Sequence, residues 1–360
     1  MARVRKKIDL ALQGGGSHGA FTWGVLDRFL ANERIDIEAI SGTSAGAINA
    51  AVMAFGMAHG GRDGARAALA KFWRAVSDVT RGSFLRRTPF QAWTGAWSLD
   101  QSPFLAWLDM LSTFASPYDL NPLNYNPLRD ILVDQVDFTQ LRQIETLQLF
   151  VTATNVETGQ PRVFRREQLT ADHIMASACL PNVYQAVIID GVPYWDGGYM
   201  GNPSLWPLFD NTESNDIVIV KINPIERKGV PHSSREIIGR LNEITFNASL
   251  LREFRAIDFV QRLFRAGRLD GTAYNDVRIH IVGDDDLMNS VSESSKFLTE
   301  WPFLEMLRDK GGAAAEAWLA AHYEDLGKRS SVNLRRMFQG GEDALDGREL
   351  APPPPKQVTS

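Results

Sequence analysis

Short apolar runs alternate with helical periodicities through the first part of the chain. Ile8 to Leu12 is an apolar run that stops at glycines, and a helical pattern then passes through Ala20, Trp23, Val25, Leu26 and Leu30. Ile35 to Ser41 is a second run with Ala45 to Ala58 as its helix, and Lys71 to Val76 closes a further helix. Strand, helix, strand, helix at this spacing predicts a parallel sheet covered on both faces. Leu147 to Asn155 reads as a buried strand, with Glu157 to Gln160 as a turn and Arg162 to Phe164 returning. Thr170 to Ala178 is a helix that stops before Pro181. Ala186 to Trp195 is a hairpin about Asp190-Gly191, and Asp216 to Ile222 is the clearest strand. A long helix starts at Ser233, where Glu236 completes a capping box, and ends at Gly267. Val277 to Val282 is a last strand, and Ser294 to Tyr323 carries helical patterns with a break at Gly311-Gly312. The expected fold class is α/β, a three-layer α/β/α arrangement with a mainly parallel central sheet.

Two segments depart from these patterns. Residues 82–128 are rich in Pro, Gly, Ser and aromatics (Phe84, Phe90, Trp93, Trp97, Phe104, Trp107, Phe114, Tyr118, Tyr125) and read as an insertion or a lid. Residues 339–360 end in a Pro-rich polar stretch and read as a disordered tail.

Composition narrows the class. With 360 residues, 44% hydrophobic and 22% charged, the chain reads as a soluble globular protein with a substantial core. A net charge of -5 offers nucleic acid no global attraction, so no nucleic-acid partner is expected. Cys179 is the only cysteine, so no intrachain disulfide can form. The apolar run after MARVRKK is too short for a secretory h-region, and no stretch reaches the length of a membrane span. A cytoplasmic protein is expected. On the long helix Arg255, Arg262 and Arg265 share one side, while Ile257, Val260, Leu263 and Phe264 share the other. Such a helix can touch an anionic bilayer peripherally, or serve as a core helix with a solvated basic face.

The candidate chemistry begins at Gly42-Thr43-Ser44-Ala45-Gly46, between an apolar strand and a small-residue helix. That is the sequence form of a nucleophile elbow, which exposes one serine hydroxyl on a sharp turn. The run Gly14-Gly15-Gly16-Ser17-His18-Gly19 fits two motifs. As a dinucleotide fingerprint it lacks an acidic residue at the end of the next strand. It is also formally Gly-x-Ser-x-Gly, so Ser17 competes as nucleophile. Three successive glycines suit an extended approach that presents backbone N–H groups to an oxyanion, with Ser44 attacking. None of the six histidines (His18, His59, His173, His232, His280, His322) has a context that marks a triad member. Asp196 stands out instead, preceded by an aromatic strand and followed by Gly197 and Gly198.

Taken together, these motifs resemble the patatin-like phospholipase family. The match comprises Gly14-Gly15-Gly16 with Gly19, Gly42 to Gly46, Ala176-Ser177-Ala178 to Pro181, and Asp196-Gly197-Gly198. Thr152 to Asn155 with Thr158-Gly159 adds to it. The resemblance implies a catalytic core over residues 7–222; residues 223–330, which carry none of its motifs, are expected to form a C-terminal helical and strand extension packed on that core. It implies a Ser44–Asp196 dyad without histidine, an oxyanion hole at Gly14, Gly15 and Gly16, and Gly42, Gly46, Gly197 and Gly198 in support. The family's loop usually carries Arg or Lys where this chain has His18. The expected activity is lipid acyl hydrolysis through an acyl-enzyme, with no metal or organic cofactor. A lipid or other apolar ester is the implied substrate, in keeping with Trp195, Tyr199 and the 82–128 aromatics. The alternatives are a depolymerase or thioesterase on other apolar esters, and a catalytically idle lipid-binding module.

Overall fold

Alternation along each strand sorts side chains to two sides of one sheet. On β1 (Lys6–Leu12), Ile8, Leu10 and Leu12 enter the larger apolar cluster while Ala11 enters the smaller. On β7 (Asp216–Lys221), Val218 and Val220 face the larger cluster, Ile217 and Ile219 the smaller. A strand with apolar residues on both faces needs cover on both, as parallel sheets do. The computed structural model describes residues 5–79, 87, 88, 91, 94–100, 102, 107, 114–269 and 274–340.

The eight-stranded sheet runs β5-β6-β3-β2-β1-β7-β8, with β4 pairing β3 off that path. β1, β2 (Ile35–Gly42), β3 (Gln148–Asn155), β7 and β8 (Arg278–Gly283) pair in parallel. β4 (Pro161–Arg165), β5 (Val187–Ile189) and β6 (Val192–Asp196) join antiparallel. It is therefore a mixed, mostly parallel central sheet flanked by helices. The larger cluster holds α1 (Gly19–Ala31), α2 (Ala45–Val79) and α3 (Ala171–Ser177). The smaller includes Leu250, Phe254 and Ile257 of α4 (Ser234–Arg265). α5 (Trp301–His322) returns to the larger cluster and packs along α1.

This topology brings distant residues to one edge. Leu12 and Gly42, the last residues of β1 and β2, are register partners, so the chain leaves both strands side by side. Gly42 is also opposite Val151 of β3, and β6 places Asp196 opposite Ala153 two residues further on. Glycine loop, elbow and Asp196 therefore meet at the carboxyl end of the parallel strands, where open α/β sheets hold their ligands.

α2 lies close to β1 because Gly46 leaves room: a Cβ there would run into the Leu12 carbonyl. Gly46→Ala is expected to destabilise by about 1–3 kcal/mol through overpacking against backbone. A thermal melt of that variant matching wild type would show that the crossing can open.

One expectation changes. Gly311 and Gly312 do not break α5, which runs through both. A Cβ on Gly311 would meet the Phe21 carbonyl, so the glycine allows close helix packing instead. α2 is two helices joined at a kink, as expected: the helix from Ala45 ends at Gly60 and Gly61, whose backbone is non-helical, and a second helix runs on to Val79. On α4, Arg262 pairs with Asp258 at 3.1 Å and Arg265 approaches the same carboxylate at 3.9 Å, while Arg255 is exposed. The Ser233–Glu236 capping box is formed, with Glu236 N donating to Ser233 Oγ at 3.2 Å.

Of the aromatic segment, Trp97 packs on Phe303 and under the Arg87 guanidinium, which pairs with Glu300 at 2.9 Å. Phe84, Phe90, Trp93 and Phe104 lie outside the described residues, as does the tail beyond Gly340. No described helix is long and apolar enough to cross a membrane.

Candidate active site

Ser44 sits on the bend between β2 and α2 with φ at 54°, a left-handed conformation that a non-glycine residue rarely adopts. Such a backbone costs about 1–3 kcal/mol and persists only where its surroundings over-determine it. Here Thr43 N donates to Leu12 O at 3.2 Å, and Thr43 Oγ1 to Gly201 O at 2.6 Å. Ser44 N donates to the buried Ser177 Oγ at 2.9 Å, and Ile48 N returns to Ser44 O at 3.1 Å. Gly42 and Gly46 flank the bend. Ser44 keeps partial exposure, whereas Ser17 is buried in the turn before α1.

Asp196 has no exposed surface. Its main chain is fixed by N donating to Cys179 O and by Thr154 Oγ1 donating to its carbonyl, both at 2.8 Å. Gly197 and Gly198 follow in a one-turn 3-10 helix, from which Gly198 N donates to Oδ1 at 2.7 Å. Burial pushes the carboxyl from its ordinary 3.8 up to about 7, opposed by the Gly198 N–H, the Ser44 hydroxyl and the Lys296 charge. The Ser44 hydroxyl is near enough to hold the carboxyl down, yet Oδ2 has no hydrogen-bond partner. Serine and carboxylate therefore lie close to each other, with Oδ2 left unpartnered.

The glycine loop presses on Ser44: a Cβ on Gly14 would lie 2.5 Å from Ser44 Cβ. Gln13 anchors the approach, its Oε1 accepting from Ile222 N and Asn223 N at 2.9 Å. Gly14 N donates to Asn202 Oδ1 at 2.6 Å, and Asn223 Nδ2 donates to Gly14 O at 2.6 Å. The Gly14 N–H is thus already engaged, contrary to the expectation that it serves an oxyanion. Gly15 and Gly16 donate to no described residue, and Gly16 takes a left-handed φ of 56°.

His18 is buried, its Nε2 bonded to Ser295 Oγ at 2.7 Å. Burial, with the charges of Lys296 and Arg227, lowers its imidazole to about 3, so it is neutral at ordinary pH. The described side-chain hydrogen bonds of the other histidines lead to Phe55, Gln140, Thr170, Asp216 and Asp325, none to Ser44 or Asp196. Among the described residues no cluster of His, Cys, Asp or Glu could hold a metal ion.

Four supporting residues carried no assignment from sequence. Ser177 stands in a motif that matched, and Asn202 follows the Asp-Gly-Gly run closely; both were within reach. Asn223 and Lys296 sit outside any recognised pattern, and only packing brings them to the loop.

Comparison with known proteins gives a family and a set of distant folds. The profile described as patatin-like phospholipase matches residues 10–209. No curated protein matches the chain. Among solved structures, VipD from Legionella pneumophila is 14% identical, covering 88% of this chain and 67% of its own, with a TM-score of 0.40. ExoU from Pseudomonas aeruginosa, solved in complex with SpcU, is 16% identical, covering 93% and 77%, with a TM-score of 0.27. A second structure of the type III effector ExoU is 14% identical, covering 89% and 54%, with a TM-score of 0.32.

Proposed function

The chain belongs to the patatin-like phospholipase family, and on that premise we propose that it is a serine lipid acyl hydrolase with a Ser44–Asp196 dyad. Family membership supports lipid hydrolysis. The observation that carries the finer reading is a strained, part-exposed serine facing a fully buried carboxylate whose proton affinity is raised to about 7. An ordinary carboxylate is too weak a base for an alcohol, and burial strengthens it.

In the proposed reaction Ser44 Oγ attacks the carbonyl carbon of a carboxylic ester while its proton passes to Asp196 Oδ2. The oxyanion is received by the Gly15 and Gly16 N–H groups and by the open N-terminus of α2. Collapse breaks the ester C–O bond, and Asp196 returns the proton to the departing alcohol. Water then adds to the acyl-enzyme with Asp196 again as base, which frees the fatty acid and restores Ser44. No metal or organic cofactor enters these steps. Tyr199 and Phe246, in edge-to-face contact at 5.2 Å beside Gly198, supply an apolar wall suited to an acyl chain.

The test is fluorophosphonate labelling at Ser44 together with turnover on phospholipids and simple esters, with and without anionic vesicles. The vesicle arm also decides whether the basic face of α4 touches an anionic bilayer or only solvent. Asp196 must be ionised to act, so kcat/KM is expected to fall as pH drops through about 7. A limb near the ordinary carboxylate range would remove Asp196 as base. No labelling and no turnover on any ester would overturn the hydrolase reading and favour a lipid-binding module.

A further inference from the structure

The glycine loop carries no cation of its own, since His18 is buried and neutral. A cation reaches it from Lys296, in the short turn Glu293–Phe297 and outside the residues matched by the family profile. Lys296 touches the loop twice. Its backbone carbonyl occupies the place a Gly16 side chain would take. Its Nζ donates to Asn223 Oδ1 at 3.0 Å and to Glu293 Oε1 at 2.7 Å, and Asn223 Nδ2 in turn donates to Gly14 O at 2.6 Å. The Gly14 carbonyl and the Gly15 N–H belong to one peptide unit. A charge-assisted bond at one end of the Asn223 amide strengthens donation from the other, and a strong bond at the Gly14 carbonyl polarises the Gly15 N–H.

We propose that Lys296 is the positive charge of the oxyanion loop, a positioning residue acting through Asn223 on the Gly14–Gly15 peptide. This rests on the hydrolase reading above. The same charge reaches Asp196, where it opposes the effect of burial. Other titratable groups facing Asp196 are the Cys179 thiol and the Tyr199 phenol, both pushed up to about 12 by burial first and therefore neutral at working pH. Arg227 also acts on His18, but it is paired with Glu243 at 2.7 Å. Glu293 is the counter-charge to Lys296.

Three substitutions, two of them with opposite expected signs, test the proposal on a soluble ester. Lys296→Met is expected to lower kcat roughly 10-fold, less than the about 10²–10³ an oxyanion donor itself is worth, with KM little changed. It also moves the acid limb of kcat/KM to higher pH, because Asp196 loses a stabilising cation. Lys296→Arg restores most of the rate and the limb. Glu293→Gln removes the counter-charge and moves the limb to lower pH. Unchanged kcat and acid limb in Lys296→Met, with wild type active, would overturn this role and leave the dyad standing. Should Lys296→Met fail to fold, Glu293→Gln still decides, since a limb that stays put or rises contradicts the proposal. An inactive, unlabelled wild type takes down both readings together.

Discussion

Ser44→Ala is expected to abolish ester hydrolysis, by on the order of 10⁴-fold or more, and to abolish fluorophosphonate labelling. No neighbouring group can take over the attack. The remaining hydroxyls around the bend, Thr43 and Ser177, are committed to Gly201 O and Ser44 N. The backbone bonds that hold the turn do not involve the Ser44 side chain, so the melting temperature is expected to stay close to wild type. Ser17→Ala is the control for the competing serine motif. Ser17 is buried at 5% exposure in the turn that follows the glycines, and its removal is expected to leave labelling intact. Loss of labelling in Ser17→Ala with retention in Ser44→Ala would reverse the assignment.

Asp196→Asn carries the second large effect, with opposite consequences for rate and stability. Turnover is expected to fall on the order of 10³-fold or more, because the amide cannot take the serine proton. Stability is expected to rise above neutral pH. The carboxyl stands at about 7 in the folded protein against an ordinary 3.8, so between those values the folded chain holds a proton that the unfolded chain releases. Its stabilising contribution is complete below 3.8 and is lost as pH rises through about 7. At pH 8 the wild type therefore carries a buried charge worth on the order of a few kcal/mol of lost stability, and asparagine removes that cost. Calorimetry at pH 8 and pH 4 should show a higher melting temperature for the variant at the first and little difference at the second. Retained turnover would remove Asp196 from the dyad, and a lower melting temperature at pH 8 would mean that the carboxyl is ionised without penalty.

The same tension explains why this edge of the sheet is built from so many fixed hydrogen bonds. Strain at Ser44 and an under-partnered carboxylate at Asp196 both cost stability, and the surrounding Thr43, Ser177, Thr154 and Gly198 contacts hold them in place.

Much of this was readable from local pattern. Apolar runs such as Asp216–Lys221 became strands, Ser233 with Glu236 became a cap, and the small residues after Ser44 became the helix on β1. These features depend on residues a few positions apart, where periodicity, turn chemistry and capping act directly. Glycine was less legible, because chain break and close packing call for the same residue. Gly311 serves packing on α1, while Gly60 and Gly61 mark a true change of direction. Contacts between distant residues were decided only by folding. Gly14 finds Asn202 188 positions away, which engages its N–H, and Asn223 209 positions away, which β1 lying beside β7 brings to its carbonyl. Sequence alone singled out Ser44 and Asp196 as candidates. Tertiary packing decided that Asp196 is fully buried and that Lys296 reaches Asn223 beside the glycine loop, because desolvation and field depend on what surrounds a group in space.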